Sequence, residues 1–378
     1  MKSFNGAEGR GIRSRGIASK GIAGRGMRGR GITSKGIAGR GMRGRGITGK
    51  GKADTETTTA IVKQLCKRIP GWFFNPSLAR LRCGRGRSLW VICYHHVSER
   101  STGRGPTWPP RVGIRDLERH LEVFARHFRV SPLYEALCDL ERNSLTRPTL
   151  CITFDDAPSS FATLAYPLLR KHNMPATVFV CGSASGEGEP LWNDALTMLW
   201  KAGQEEGICR LLDSSSADLA SAGEAKSRAQ DIYSDRLRRG ILSLYAKHDP
   251  GTNADLYMDT ACLRSLDARL VQFGSHTWSH APLSALDGES LRREVARNEE
   301  YLARFPNRVP VLSVPYGGPS RFHPQQIRFL RQEMGLYVCS SYGGINFGPR
   351  EADYLRIGGE VPGDQMAGHL ILEVLRST

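Results

Sequence analysis

From residue 89 onward, six short apolar runs interrupt an otherwise polar chain: "LWVICY" (89–94), "TLCITF" (149–154), "ATVFVC" (176–181), "LVQFGS" (270–275), "VPVLSV" (309–314) and "LYVCS" (336–340). Most are continuous rather than alternating, and they are rich in β-branched and aromatic residues. That pattern reads as strands buried on both faces. A weaker run at 354–357 is a seventh candidate. Between several runs the period changes to that of a helix. In "IRDLERHLEVFARHF" (114–128), Ile114, Leu117, Leu121 and Phe124 share one face. Strands separated by helices pair in parallel. Six or seven such units predict an α/β fold, a distorted (β/α) barrel of about seven strands.

One stretch departs from this rhythm. Residues 182–264 carry no strand pattern, only helix-like runs at 190–203 and 225–248. They predict a helical insertion on one face of the barrel, a lid or a substrate wall. Trp192 and Trp200, eight residues apart, are expected to pack within it.

Charge separates the chain into unlike parts. The formal net charge is +16, yet residues 1–52 hold 14 of the 53 Lys and Arg against a single acid, Glu8, for a net +13. The remaining 326 residues hold 39 basic and 36 acidic groups, a net +3. The basic segment is a repeat: "RGIASKGIAGRGMRG" (15–29) recurs as "RGITSKGIAGRGMRG" (30–44). Frequent glycine and high charge leave nothing to pack, so residues 1–52 are expected to be a disordered tail. Such a polycation suits nucleic acid or an anionic surface, although no aromatic residue supplies a stacking platform. A dispensable extension from a misplaced translation start is the plainer alternative. Residues 53–88 read as a linker with a short helix near 57–69, and 89–378 as the globular domain.

Nine cysteines are scattered without a C-x-x-C pair, the usage of buried apolar side chains in a reducing compartment rather than of a disulfide framework. No run approaches the ~20 apolar residues of a membrane span, and no apolar core of a secretory signal stands at the start. A cytoplasmic location is expected.

The chemistry-bearing residues follow strands. "TLCITF" runs directly into Asp155 and Asp156, which places both at the C-terminal strand edge where barrel enzymes hold their sites. "GSHTWSH" (274–280) follows another strand, and His276 and His280 at i, i+4 fall on one face of a helical turn. Two imidazoles and one carboxylate hold a divalent metal with a position left open for water. The cation balances one aspartate, and the second remains free to act.

These motifs resemble the polysaccharide deacetylases of the NodB-homology type, carbohydrate esterase family four. "TFDDA" (153–157) is similar to their T-F-D-D-G, "HTWSH" (276–280) matches H-S/T-x-x-H, and "SVPYG" (313–317) is similar to R-x-P-Y-G. "YHHV" (94–97) resembles the opening of the subgroup containing exopolysaccharide N-deacetylases, in which a helical insertion starts near an L-W pair, as in "PLWNDAL" here. The resemblance spans about residues 88–360. It implies a metal-dependent hydrolase removing N-acetyl groups from an amino-sugar oligo- or polysaccharide or its precursor. In that scheme Asp155 is the general base, and Asp156, His276 and His280 hold the metal, commonly zinc, with cobalt, nickel, manganese or iron accepted by relatives. The backbone N–H of Tyr316 helps hold the oxyanion, and Pro315 and Trp278 line the substrate pocket. His95 is the general acid, with His96 and His369 as alternatives. Two departures stand out: Ala157 replaces the motif glycine, and Ser313 stands where many relatives carry the arginine that holds the base. Competing functions are deacylation of a non-polymeric substrate, an inactive carbohydrate-binding descendant, and a nucleic-acid-associated protein acting through its tail.

Overall fold

A computed structural model describes residues 87–100, 111–215, 218–248, 256–350 and 353–376. The expected tail, and all but the last two residues of the expected linker, lie outside the described residues.

The strands in chain order are β1 (Leu89–Tyr94), β2 (His96–Ser98), β3 (Arg111–Gly113), β4 (Arg129–Val130), β5 (Thr149–Phe154), β6 (Ala176–Val180), β7 (Val271–Ser275), β8 (Arg308–Ser313), β9 (Tyr337–Ser340), β10 (Tyr354–Leu355) and β11 (Ile357–Gly358). Their hydrogen-bonded order is β10-β9-β8-β7-β6-β5-β1-β11, with β4 beside β5, and every pairing is parallel. The two ends of this path are joined by one residue, Arg356. Tyr354 and Leu355 pair with β9, and Ile357 and Gly358 pair with β1. The Arg356 N–H donates to the Ser340 carbonyl (2.8 Å), and the Gly359 N–H donates to that of Cys93 (2.7 Å). The segment 354–359 is thus a seventh staff, split between neighbours, that nearly closes the barrel. β1, β5 and β6 are buried at every position, as strands covered on both faces must be.

The helix Ile114–His127 buries Leu117, Leu121 and Phe124 against the main core with Trp90, Ile92 and Phe154. Between β6 and β7 the described residues form helices only: Gly182–Glu187, Trp192–Lys201, Glu205–Leu211, Ala222–Asp231, Asp235–Lys247 and Thr260–Ser265. The run read as one helix over 225–248 is two. Ser234 accepts the Leu237 N–H and starts a new helix after Asp231, because a serine side chain competes for backbone donors better than it continues a helix. The four helices between Trp192 and Lys247 share their own core, in which Trp192, Leu196, Ile208, Ile241 and Tyr245 are buried and Trp200 is packed alongside. All seven cysteines among the described residues are free. No helix among the described residues is long and apolar enough to cross a membrane.

Candidate active site

The C-terminal ends of β1, β5, β7 and β8 deliver, in turn, His95, the Asp155–Asp156 pair, His276 and the Pro315–Tyr316 corner. Parallel pairing brings these chain-distant residues to one edge of the barrel.

Asp156, His276 and His280 converge. Asp156 Oδ1 lies 3.4 Å from His276 Nε2 and 3.3 Å from His280 Nε2, and all three residues are buried. The turn that achieves this is not helical. Residues 276–282 form a loop in which Thr277 (φ 62°) and His280 (φ 57°) adopt left-handed backbone. The expected helical turn is therefore replaced by a bent loop that sets the imidazole centroids 4.8 Å apart.

The protonation pattern follows from the partners. His276 Nδ1 lies 2.9 Å from the Ser313 carbonyl, which can only accept, so Nδ1 carries the proton and Nε2 offers a lone pair to Asp156. His280 Nδ1 lies 3.0 Å from Asn193 Oδ1, whose own amide NH2 is turned to the Asp194 carboxylate. That fixes the amide orientation, so His280 also presents Nε2 as a lone pair. Burial lowers His276 to about 4 and holds His280 well below the usual imidazole range, so both rings are neutral. Burial, together with the Asp194 and Asp155 carboxylates and against His95, pushes Asp156 up to about 7. Asp156 Oδ1 is buried with no hydrogen-bond partner. With Asp156 ionised, three acceptor atoms face one another and repel, and a divalent cation is what such a donor set accommodates. The residues present fit a metal ion.

Asp155 faces a different set of partners. Arg356 donates from Nη1 to Oδ1 (2.6 Å) and from Nη2 to Oδ2 (2.8 Å), a bidentate pair with Arg356 fully buried. Ser313 Oγ, which accepts from the same guanidinium, lies 3.3 and 3.4 Å from the two carboxylate oxygens, and the Cys93 thiol lies 3.4 Å from Oδ2. Burial opposes ionisation, but Arg356 and then His276 overcome it and hold Asp155 well below the usual carboxylate range. The arginine expected at position 313 is thus supplied from position 356, and Ser313 is its hydrogen-bond partner rather than a gap. Its only trace in sequence is the weak run 354–357.

His95 Nδ1 bonds Glu360 Oε1 at 2.7 Å, and its ring lies in one cluster with Cys93 and Asp155, ligand atoms within 4.8 Å of one another. Burial disfavours its charge, yet Glu360 raises it to about 9. His96 belongs instead to β2 paired with Arg111, and burial, His95 and Arg111 lower it to about 3. His369 sits on the helix Met366–Arg376 and bonds the Gly358 carbonyl. Tyr316 packs its ring 4.6 Å from that of His280, tilted by 60°, and Pro315 is buried beside it. Trp278 packs its ring on Tyr301 and under the Arg297 guanidinium, 3.9 Å away, where Gly182 leaves room for it. Ala157 has φ 49°, so the motif position does require a left-handed residue. An L-residue there carries a penalty of ~1–2 kcal/mol, which the fully buried methyl group offsets by roughly 0.8 kcal/mol.

A parallel barrel with a two-histidine, one-carboxylate cluster at its C-terminal edge defines a metal-hydrolase architecture. The sequence profile of the polysaccharide deacetylases matches residues 142–209 and 250–338, and the chain belongs to that family. The family's enzymes hydrolyse non-peptide amide bonds. Among solved structures, the Streptococcus pyogenes deacetylase PplD in complex with acetate is similar in fold, with a TM-score of 0.50 at 13% identity over 76% of this chain and 98% of that one. IcaB from Ammonifex degensii (TM-score 0.47, 17% identity, 77% and 98% covered) and a de-N-acetylase from Aggregatibacter actinomycetemcomitans (0.46, 15%, 75% and 99%) are also similar. No curated protein sequence matches the chain.

Proposed function

We propose that this site removes the N-acetyl group from an amino sugar within an oligo- or polysaccharide, using one divalent ion, zinc by its mixed nitrogen and oxygen donors. The observation that carries the reading is the division of labour between adjacent carboxylates: Asp156 converges with both histidines, while both oxygens of Asp155, 3.9 Å from His276 Nε2 at its nearest, are taken by Arg356. Asp156, His276 and His280 would hold the ion, which supplies Lewis acidity to the acetamide carbonyl and to the attacking water. Asp155, ionised at neutral pH, accepts the proton that the water gives up. The guanidinium of Arg356 keeps that carboxylate aimed and ionised. The Tyr316 backbone N–H is the protein's donor to the developing oxyanion. His95, kept protonated by Glu360, delivers a proton to the departing sugar amine, which could not leave as an anion.

The test couples elemental analysis of purified protein to acetate release from N-acetylglucosamine oligomers, with nucleotide-linked N-acetyl sugars as a second arm. Acetate from the oligomers, lost on chelation and restored by zinc, is the expected result. Acetate from the small precursor alone would move the substrate assignment, and none from either would overturn it. The +13 on residues 1–52 supports a separate, salt-sensitive contact with an anionic polymer, tested by deleting that segment.

A further inference from the structure

His280 is held in an unfavourable backbone conformation, φ 57°, by the Tyr316 hydroxyl, 3.3 Å from its carbonyl, and by a helix from outside the barrel. A non-glycine residue stays left-handed only where its surroundings over-determine it. The first turn of the helix Trp192–Lys201 meets that requirement on two sides. Trp192 Nε1–H donates to the His280 carbonyl at 3.1 Å, and Asn193 Oδ1 accepts from His280 Nδ1 at 3.0 Å. Asn193 is 1% exposed, and its Nδ2 donates to Asp194 Oδ1 at 3.2 Å. Asp194 is itself fixed: Tyr257 donates its hydroxyl to Oδ2, and the buried ammonium of Lys226 attracts the carboxylate. Three consecutive residues therefore grip one ligand by its backbone, its ring, and the group that orients its ring.

We infer that Trp192, Asn193 and Asp194 are positioning residues that set metal affinity through His280, so that the helices between β6 and β7 govern the ion as well as cover the site. The inference rests on the metal reading above. A metal-bound histidine needs its other nitrogen anchored to keep the lone pair on the ion. Loss of such an anchor typically weakens binding roughly 10–100-fold. Asp194 bears on His280 by orienting the Asn193 amide, while its carboxylate also acts directly on Asp156, so its contribution is contained only in part in that of Asn193. One fallback exists, since Tyr316 Oη lies 3.1 Å from the same His280 nitrogen.

The test is equilibrium zinc affinity by chelator competition, with the visible absorption of the cobalt-loaded protein as a second readout. Asn193→Leu with Tyr316→Phe is expected to weaken zinc by roughly tenfold or more and to alter the cobalt spectrum. Asp194→Asn should alter zinc affinity, and adding Asp194→Asn to the Asn193 variant should have a smaller effect than it has alone, because only its action on Asp156 remains. If the leucine variant does not fold, Asn193→Ser, which suits a small buried site, is measured in its place. Affinity within twofold of the unsubstituted protein in folded variants overturns the inference, and so does full additivity of the two substitutions. Failure of the unsubstituted protein to bind zinc would instead end the metal reading itself.

Discussion

Arg356 sits at the single residue where the closing strand changes partners, and it places both terminal nitrogens on Asp155 at 2.6 and 2.8 Å. The orientation of the proposed base is therefore tied to closure of the barrel. Arg356→Lys cannot make the planar, two-pronged pair, and Arg356→Met leaves the Asp155 carboxylate buried beside Ser313 without a counter-charge. The methionine variant should lose about 3–5 kcal/mol of stability, read by chemical denaturation. The lysine variant should keep most stability yet lose roughly 10–100-fold in kcat, read by acetate release, because a small misalignment of a base is costly. Unimpaired turnover in the lysine variant would remove the role assigned to the pair.

The proposed base and a proposed ligand should separate cleanly under substitution. Asp155→Asn is expected to lower turnover by roughly 10²–10⁴-fold while zinc stays bound. His276→Ala should lose the zinc. Metal analysis and acetate release on the same samples distinguish the two, and a His276→Ala protein that retains stoichiometric zinc would contradict the ligand set.

Glu360 makes a prediction in pH. Because it raises His95 to about 9, the protonated imidazole persists through neutral pH. Activity that needs His95 protonated should fall as pH rises through about 9. In Glu360→Gln only the smaller effects of Asp155 and Asp156 still oppose burial, so that alkaline limb should move to lower pH. The sign for stability agrees: a histidine raised above its ordinary value stabilises fully below about pH 6.5, and that contribution fades as pH climbs through the folded value. A pH–rate profile of the glutamine variant that superimposes on the original would dismiss His95 as the acid.

Gly317 next to the proposed oxyanion corner cannot take a side chain. Its φ is 60°, and a Cβ would lie 2.5 Å from Ser341 Cβ and 2.8 Å from its backbone nitrogen. Left-handed strain and overpacking together predict a loss of about 2–4 kcal/mol for Gly317→Ala. Gly335 has a similar φ of 66° with nothing within 4 Å, so Gly335→Ala should lose only ~1–2 kcal/mol. Thermal or denaturant unfolding of the two variants measures the difference, and equal losses would show that the contact with Ser341 is not limiting.

The barrel was legible because its strands are buried on both faces. A doubly buried strand admits almost no polar residue, so "LWVICY" and "TLCITF" mark their own limits, and β1 and β5 occupy 89–94 and 149–154. Local chemistry was harder to read. The spacing of His276 and His280 suits a helical turn equally well, and only the left-handed Thr277 and His280 distinguish the loop from it. The break at Ser234 was likewise a local competition for backbone donors that periodicity does not register.

By itself, then, the sequence determined which segments become the main strands of the barrel, though not the short β2, β3 and β4, and that Asp155, Asp156 and His276 stand at strand ends, since burial and chain direction are written in neighbouring residues. Only the tertiary structure decided which charges meet: Arg356 with Asp155 across 201 residues, Glu360 with His95 across 265, and Asn193 with His280 across 87. A partner so remote leaves no local pattern, because the free energy that selects it arises only once the barrel has brought both groups out of water together.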